Sequence, residues 1–284
     1  LAQPEIGIVT NVGPSHLERM GTIEAIEKEK GDLPASLPEE GVAILNADDE
    51  RVARMVERTN AHLLTYGLSP EADVRAEEIY SQGLAGVRFT LVHGDERQPV
   101  YSRLRGRALV HNALAAGATG LVGGLGLDEI ATALSEAQIE MRLQPHKGIN
   151  GSLIIDDTYN ASPASMRAAL DLLGEVPGRK IAVLGDMREL GSEEHDGHRE
   201  VGRYAAKIAD VIYAIGPLGR WIGAAAIHAG HPATHISANK DNVAEDIAPL
   251  LEPGDVVLVK ASRSLELETV VGALSLGDAA EGGA

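Results

Sequence analysis

Four short stretches concentrate side chains that can bind or transfer charge. Asp156-Asp157-Thr158-Tyr159-Asn160 adds hydroxyl and amide groups to paired carboxylates, Gly185-Asp186-Met187-Arg188 holds a carboxylate beside a guanidinium, and Lys260-Ala261-Ser262-Arg263 sets two cations around a hydroxyl. Each follows an apolar run of strand length, and open α/β sheets bind ligands beyond the carboxyl ends of their strands. Carboxylates, a lysine and arginines on one such edge suit a polar, charged ligand. Any one of them alone also reads as a strand-end turn with a helix cap, and residues 160–165 supply capping types for a following helix. The fourth stretch, Thr10-Asn11-Val12-Gly13-Pro14-Ser15-His16-Leu17, is a Gly/Pro turn in which His16 can reach a metal or a phosphate, or serve as a capping or core histidine. Lys28 and Lys30, in Glu27-Lys28-Glu29-Lys30, read as a solvated helical face. His195 and His198, next to Glu193 and Glu194, have the spacing of a metal pair on a helix and equally that of an exposed acidic helix start. Asn46-Ala47-Asp48-Asp49 is ordinary capping chemistry unless a nucleotide lies above it. No GxxxxGK[ST] loop occurs, and the glycine-rich residues 117–126 have no lysine after them, so no phosphate cradle is legible.

The elements that must position these groups alternate. Residues 4–10 predict a buried strand, 22–33 a helix, 42–46 a strand, and 49–58 a helix with an acidic start. Residues 73–101 change to short strands punctuated by Gly83 and a His93-Gly94-Asp95 turn, which predicts an antiparallel excursion. Helices are expected at 111–121 and 128–137. Thereafter strands at 152–155, 180–184, 211–215 and 255–259, with helical stretches between them, predict βαβ units and a mostly parallel, doubly wound sheet. Gln144-Pro145-His146-Lys147-Gly148 interrupts both textures, so the expected domains are 1–143 and 144–284, with a disordered tail from about residue 277.

Composition narrows the function. The 284 residues carry a formal charge of −17, which repels nucleic acid and anionic membranes alike. With no cysteine there is no disulfide, thiolate metal site or thiol nucleophile, a composition that suits a reducing cytoplasm. No apolar run is long enough to span a bilayer. Aromatic residues make up only 3%, so the core must be built from Val, Ile, Leu and Ala.

The motifs taken together resemble the Mur ligase family, in its branch that adds D-alanyl-D-alanine to a UDP-N-acetylmuramoyl tripeptide. The resemblance rests on the stretch from Thr10 to Glu18, Lys30-Gly31-Asp32, Leu45-Asn46-Ala47-Asp48 and His111-Asn112-Ala113-Leu114-Ala115-Ala116. It continues in Asp157-Thr158-Tyr159-Asn160-Ala161-Ser162-Pro163, Gly185-Asp186-Met187-Arg188-Glu189-Leu190-Gly191 and Lys260-Ala261-Ser262-Arg263-Ser264. Ala261 stands where the family usually has glycine. The resemblance implies an α/β fold: the later part of a central ATPase domain joined to a Rossmann-like C-terminal ligase domain, the uridine-nucleotide domain and P-loop of such an enzyme being absent from these residues.

It further implies an ATP- and Mg2+-dependent ligase working through an acyl phosphate in cytoplasmic peptidoglycan precursor synthesis, with the 284-residue stretch inactive by itself. By resemblance, His16 is a magnesium ligand and Lys30, fourteen residues later, a carbamoylated lysine that helps hold a second magnesium. Asn112 contacts adenine, Arg142 lies near the nucleotide phosphates, and Asp157 binds ribose. Lys260, Ser262 and Arg263 face the acceptor or phosphate, and Asn160, Asp186 and Met187 belong to the cleft. Two other readings are an amide ligase of the folylpolyglutamate or cyanophycin synthetase type and a noncatalytic binding module.

Overall fold

The computed structural model describes residues 3–14, 17–137 and 142–276. The chain divides into two compact units, residues 1–138 and 139–284. Within the described residues, twelve strands make two six-stranded sheets, one in each unit.

In the first unit β1 (Ile6–Val9) is followed by the short helix α1 (Leu17–Met20) and by α2 (Ile23–Ala35). Thr22 caps α2 by accepting the Ala25 N–H at 3.2 Å, a contact worth about 1 kcal/mol. Pro34 in the last turn cannot donate, and the helix stops at Ser36. Then come β2 (Val42–Asn46), α3 (Glu50–Ala53) running into a 3₁₀ turn at Arg54–Arg58, and β3 (His62–Gly67). β4 (Val74–Ser81), β5 (Val87–His93) and β6 (Glu96–Ser102) precede the helices α4 (Val110–Val122) and α5 (Leu127–Glu136).

The strands lie in sequence order, parallel from β1 to β4 and antiparallel from β4 to β6. The antiparallel pairings follow from short connections: residues 82–86 join β4 to β5, with Ser81 opposite Val87 in register, and a tight hairpin joins β5 to β6, with His93 opposite Glu96. Period-2 alternation sends Ile44 to one face, where β2–β6 pack on α4 and α5, and sends Ala43 and Leu45 to the other, against Ile26, Val52 and Met55. Both faces of β2 are therefore covered, as a parallel strand requires.

The second unit opens on β7 (Gln144–Lys147) and continues with β8 (Leu153–Asp157), α6 (Pro163–Glu175), β9 (Lys180–Gly185), α7 (Glu194–Ala205), β10 (Val211–Ile215) and α8 (Gly219–His228). β11 (Thr234–Ser237), α9 (Val243–Ile247), β12 (Val256–Lys260) and α10 (Glu268–Leu274) complete it. The sheet order is β11-β10-β9-β12-β8-β7, parallel except for the antiparallel β7. α9 and α10 pack with Val257 and Val259 on one face, while α6 contacts β12 and β9, and α8 contacts β10, on the other. The fold is thus α/β and doubly wound, as expected.

The stretch 144–148, expected to be an interruption, is instead largely an edge strand. Pro145 is tolerated there because an edge position can dispense with one N–H. The expected disordered tail lies outside the described residues.

Candidate active site

In the first unit the parallel strands end in a continuous polar edge. Asn46, at the end of β2, donates from Nδ2 to the Thr10 carbonyl at 2.8 Å and accepts the Asp48 N–H at Oδ1, so it ties the exits of β1 and β2 together. Asp49 accepts the N–H groups of Arg51 and Val52 as the cap of α3, and the N–H of Val12 at 2.9 Å. The capping reading of residues 46–49 holds for Asp49.

Asp48 does something the local sequence did not announce. Its carboxylate takes the N–H groups of Leu68 (2.6 Å) and Ser69 (3.0 Å) beyond β3, and the His111 Nε2 at 2.7 Å. Burial alone would raise the Asp48 pKa, but the Leu68 N–H, the His111 ring and the Ser69 N–H together hold it below the usual carboxylate range. Gly67 makes this approach possible, since a Cβ there would lie 2.8 Å from the Asp48 Oδ1. Asn112, one residue along α4 from His111, is exposed.

Lys30 is half-buried and donates to the Asn11 carbonyl at 2.7 Å, at the carboxyl end of β1, whereas Lys28 is exposed. The solvated-face reading therefore separates the two lysines: α2 turns Lys30 onto the strand edge and leaves Lys28 outside. His16 lies outside the described residues. Among the described residues no three His, Asp or Glu side chains converge as a metal site.

In the second unit β12 lies beside β9 because the chain runs outward through β10 and β11 and then returns. The loops leaving β9 and β12 diverge to opposite faces, which is the crevice geometry of a topological switch point. These loops are stitched together: Ser262 N–H donates to the Asp186 carbonyl and Arg188 N–H to the Ser262 Oγ, both at 2.9 Å. Asp186 is fully buried. Its Oδ1 accepts the N–H groups of Leu218 and Gly219 at the start of α8, and the Arg188 guanidinium lies 2.8 Å from its Oδ2. Met187 is also fully buried, and its N–H donates to the His198 Nε2 at 2.9 Å.

Lys260 and Asp157 are register partners on adjacent strands and form a buried ion pair of 2.6 Å, Lys260 donating also to the Asn160 carbonyl at 2.8 Å. Burial pushes the Asp157 carboxyl up and the Lys260 ammonium down, and each group's charge opposes the shift of the other. The Arg142 guanidinium stands 5.4 Å over the exposed Tyr159 ring, and its charge reaches Asp157 and Lys260. Arg263 is exposed near Glu268, and Ser162 caps α6 as its position suggests.

The expectations divide accordingly. Arg142, Asp157, Asn160, Lys260, Ser262 and Arg263 gather on one edge of one sheet. Lys260, expected to face the acceptor or phosphate, and Asp186 and Met187, expected in the cleft, have no exposed surface, and in this structure they hold the edge together. Ala261 is buried at a non-left-handed position, and its Cβ would lie 2.7 Å from any Cβ at residue 185, so Gly185 supplies the space. The metal-pair reading of His195 and His198 fails. The Nε2 of His198 accepts the Met187 N–H, so the proton sits on Nδ1, which donates to the Glu194 carbonyl at 2.5 Å, and no lone pair remains. His195 packs against Trp221 with the rings tilted at 45° and their centroids 4.8 Å apart. The sequence signal for His198 was its helical spacing, three, four and seven residues before Val201, Gly202 and Ala205 on the buried face of α7; for His111 it was only adjacency to Asn112.

Known proteins place this geometry in a family. Residues 1–120 match the Mur ligase middle domain, and residues 141–263 match the Mur ligase, glutamate ligase domain. The UDP-N-acetylmuramoyl-tripeptide--D-alanyl-D-alanine ligase of Mycobacterium tuberculosis is 36% identical over 98% of this chain and 59% of its own length. The ligase of the same name from Escherichia coli is 35% identical over 96% and 61%. The crystal structure I of MurF from Acinetobacter baumannii superposes with a TM-score of 0.86 at 30% identity, over 95% of this chain and 59% of that one. MurF ligase from Thermotoga maritima in complex with ADP gives 0.83 at 27% identity, over 96% and 62%. The chain thus spans about three-fifths of the length of these relatives. It belongs to the Mur ligase family, of which it carries the middle and C-terminal domains.

Proposed function

We propose that this chain is the nucleotide- and acceptor-side part of an ATP-dependent ligase that joins D-alanyl-D-alanine to a UDP-N-acetylmuramoyl tripeptide in peptidoglycan precursor synthesis. The terminal carboxylate of the tripeptide takes the γ-phosphoryl group of ATP, releasing ADP. The dipeptide amine attacks the acyl phosphate, and the tetrahedral intermediate expels inorganic phosphate as the amide forms. The observation that carries this reading is the pair of polar strand edges, one per unit, in a chain 36% identical over nearly its whole length to ligases of that name.

In this reading Asn112 contacts the adenine and Asp157 the ribose, while Arg142 lies by the phosphates and Arg263 faces phosphate or acceptor. Lys260 supplies the charge paired with Asp157, and Ser262, Asp186 and Met187 fix the loops between them. Lys30 suits a metal role as a carbamate, since one N–H would remain for the Asn11 carbonyl and the carbamate would add two anionic oxygens beside it. With His16 it would hold magnesium, which neutralises crowded phosphate oxygens. The work site is the cytoplasm, where such precursors are made.

The test is acceptor dependence in a full-length ligase carrying this segment. Phosphate release and a ligated product of the expected mass should require the dipeptide, and preference for a single amino acid overturns the branch assignment. The 284-residue stretch by itself, having no GxxxxGK[ST] cradle, should not turn over ATP, because phosphoryl transfer depends on positioning and charge neutralisation.

A further inference from the structure

Asp48 sits where three connections of the first unit meet. It belongs to the turn leaving β2, it accepts two backbone N–H groups from the loop leaving β3, and it holds the ring of His111 in the first turn of α4. The preceding 3₁₀ turn and Leu109 offer α4 no side-chain cap. The Asp48 carboxylate is thus the fixed negative charge near that helix start, where the helix dipole favours an anion. The approach is built in: Gly67 lacks the Cβ that would collide with the carboxylate, and Asn46 Oδ1 accepts the Asp48 N–H at 3.0 Å, which aims the residue. A 2.7 Å bond between residues 63 positions apart has no counterpart in local capping. The residue carried on the same turn, immediately after His111, is the exposed Asn112.

We propose that Asp48 and His111 form a positioning pair that locks the first turn of α4 onto the exits of β2 and β3, and thereby sets Asn112 for selection of adenine over other bases. This rests on the reading of Asn112 as the adenine contact. Neither Asp48 nor His111 touches the nucleotide; each acts through the placement of Asn112. An amide pairs with the adenine edge through one donor and one acceptor, and a turn free to shift by an ångström loses that two-point match while keeping any nonspecific contact.

The experiment titrates the 284-residue chain with ADP and with inosine diphosphate by calorimetry and reads the ratio of the two affinities. Hypoxanthine carries an oxygen acceptor where adenine has its exocyclic N–H donor beside N7, so an amide spanning that edge loses one of its two bonds and the ratio reports the base contact, whereas a general loss of structure weakens both ligands together. Asn112→Ala should bring the ratio close to one. Asp48→Asn and His111→Leu should lower ADP affinity on the order of tenfold and shrink the ratio in the same sense, as expected for losing a hydrogen bond to a charged group. His111→Gln, which can still donate to Asp48, should keep most of the ratio.

If Asn112→Ala collapses the ratio but Asp48→Asn and His111→Leu leave it at the wild-type value, the positioning role is wrong and the adenine contact stands. If Asn112→Ala leaves the ratio unchanged, or the chain binds ADP no better than inosine diphosphate, the reading of Asn112 fails and the positioning role with it. Should Asp48→Asn not fold, His111→Leu removes the same bond from the more peripheral partner and decides the matter.

Discussion

Lys260 and Asp157 show how much depends on a single pair. Each is buried, and each is tolerable as an ion only because the other lies 2.6 Å away. Removing one partner leaves an uncompensated charge, so Lys260→Met should destabilise the chain by about 3–5 kcal/mol. Lys260→Met with Asp157→Leu should recover most of that loss in urea unfolding, and failure of the double variant to recover would show that the two residues matter separately. Lys30 and Lys28 make a second contrast, two residues apart on one helix but with different surroundings. In a full-length ligase, Lys30→Ala should sharply lower kcat at limiting magnesium, while Lys28→Ala should stay near wild type. Equal kinetics for the two variants would remove the carbamate from the proposal.

Among the elements, α7 is held to the loop after β9 through His198. Its burial lowers the imidazole pKa from the ordinary 6.5, and protonation would point an Nε2–H at the Met187 N–H, which needs an acceptor. The folded state thus favours the neutral ring. This contribution is fully present above the unfolded value of about 6.5 and is lost as the pH falls below it, at no more than about 1.4 kcal/mol per pH unit. Urea midpoints measured between pH 7.5 and 5 should fall in the wild type, and His198→Gln should flatten that slope; an unchanged slope would assign the acid sensitivity elsewhere.

Elements also differ in how far they could be read. The strands at 42–46 and 211–215 matched to the residue, because both are apolar runs with turn residues beside them. β3 and β11 escaped notice. The first half of β3 is exposed and its alternation is poor, while β11 has only four residues at a sheet edge with two of them exposed. β7 carries a proline and is no more than half-buried, so its composition is that of a connection and only its pairing with β8 makes it a strand.

Across the whole molecule, the charge of −17, the absence of cysteine and the alternation of strand and helix were enough to set the fold class and to disfavour nucleic acid as a partner. The motifs at the strand ends and their order were enough to reach the family. These properties are local, or sums over the chain: hydrophobic period decides what is buried, turn chemistry decides where a strand stops, and the residues just past that point fall on the sheet edge. Which of those residues touch was settled only in three dimensions. β12 enters the sheet between β8 and β9, and the parallel register then sets Lys260 against Asp157, 103 positions away in the chain. In the same way β2, β3 and α4 bring Asp48 to His111 across 63 positions. The physical reason is that a contact of this kind depends on strand order and register, which arise from the packing of both sheet faces at once, and no local pattern around either partner encodes them.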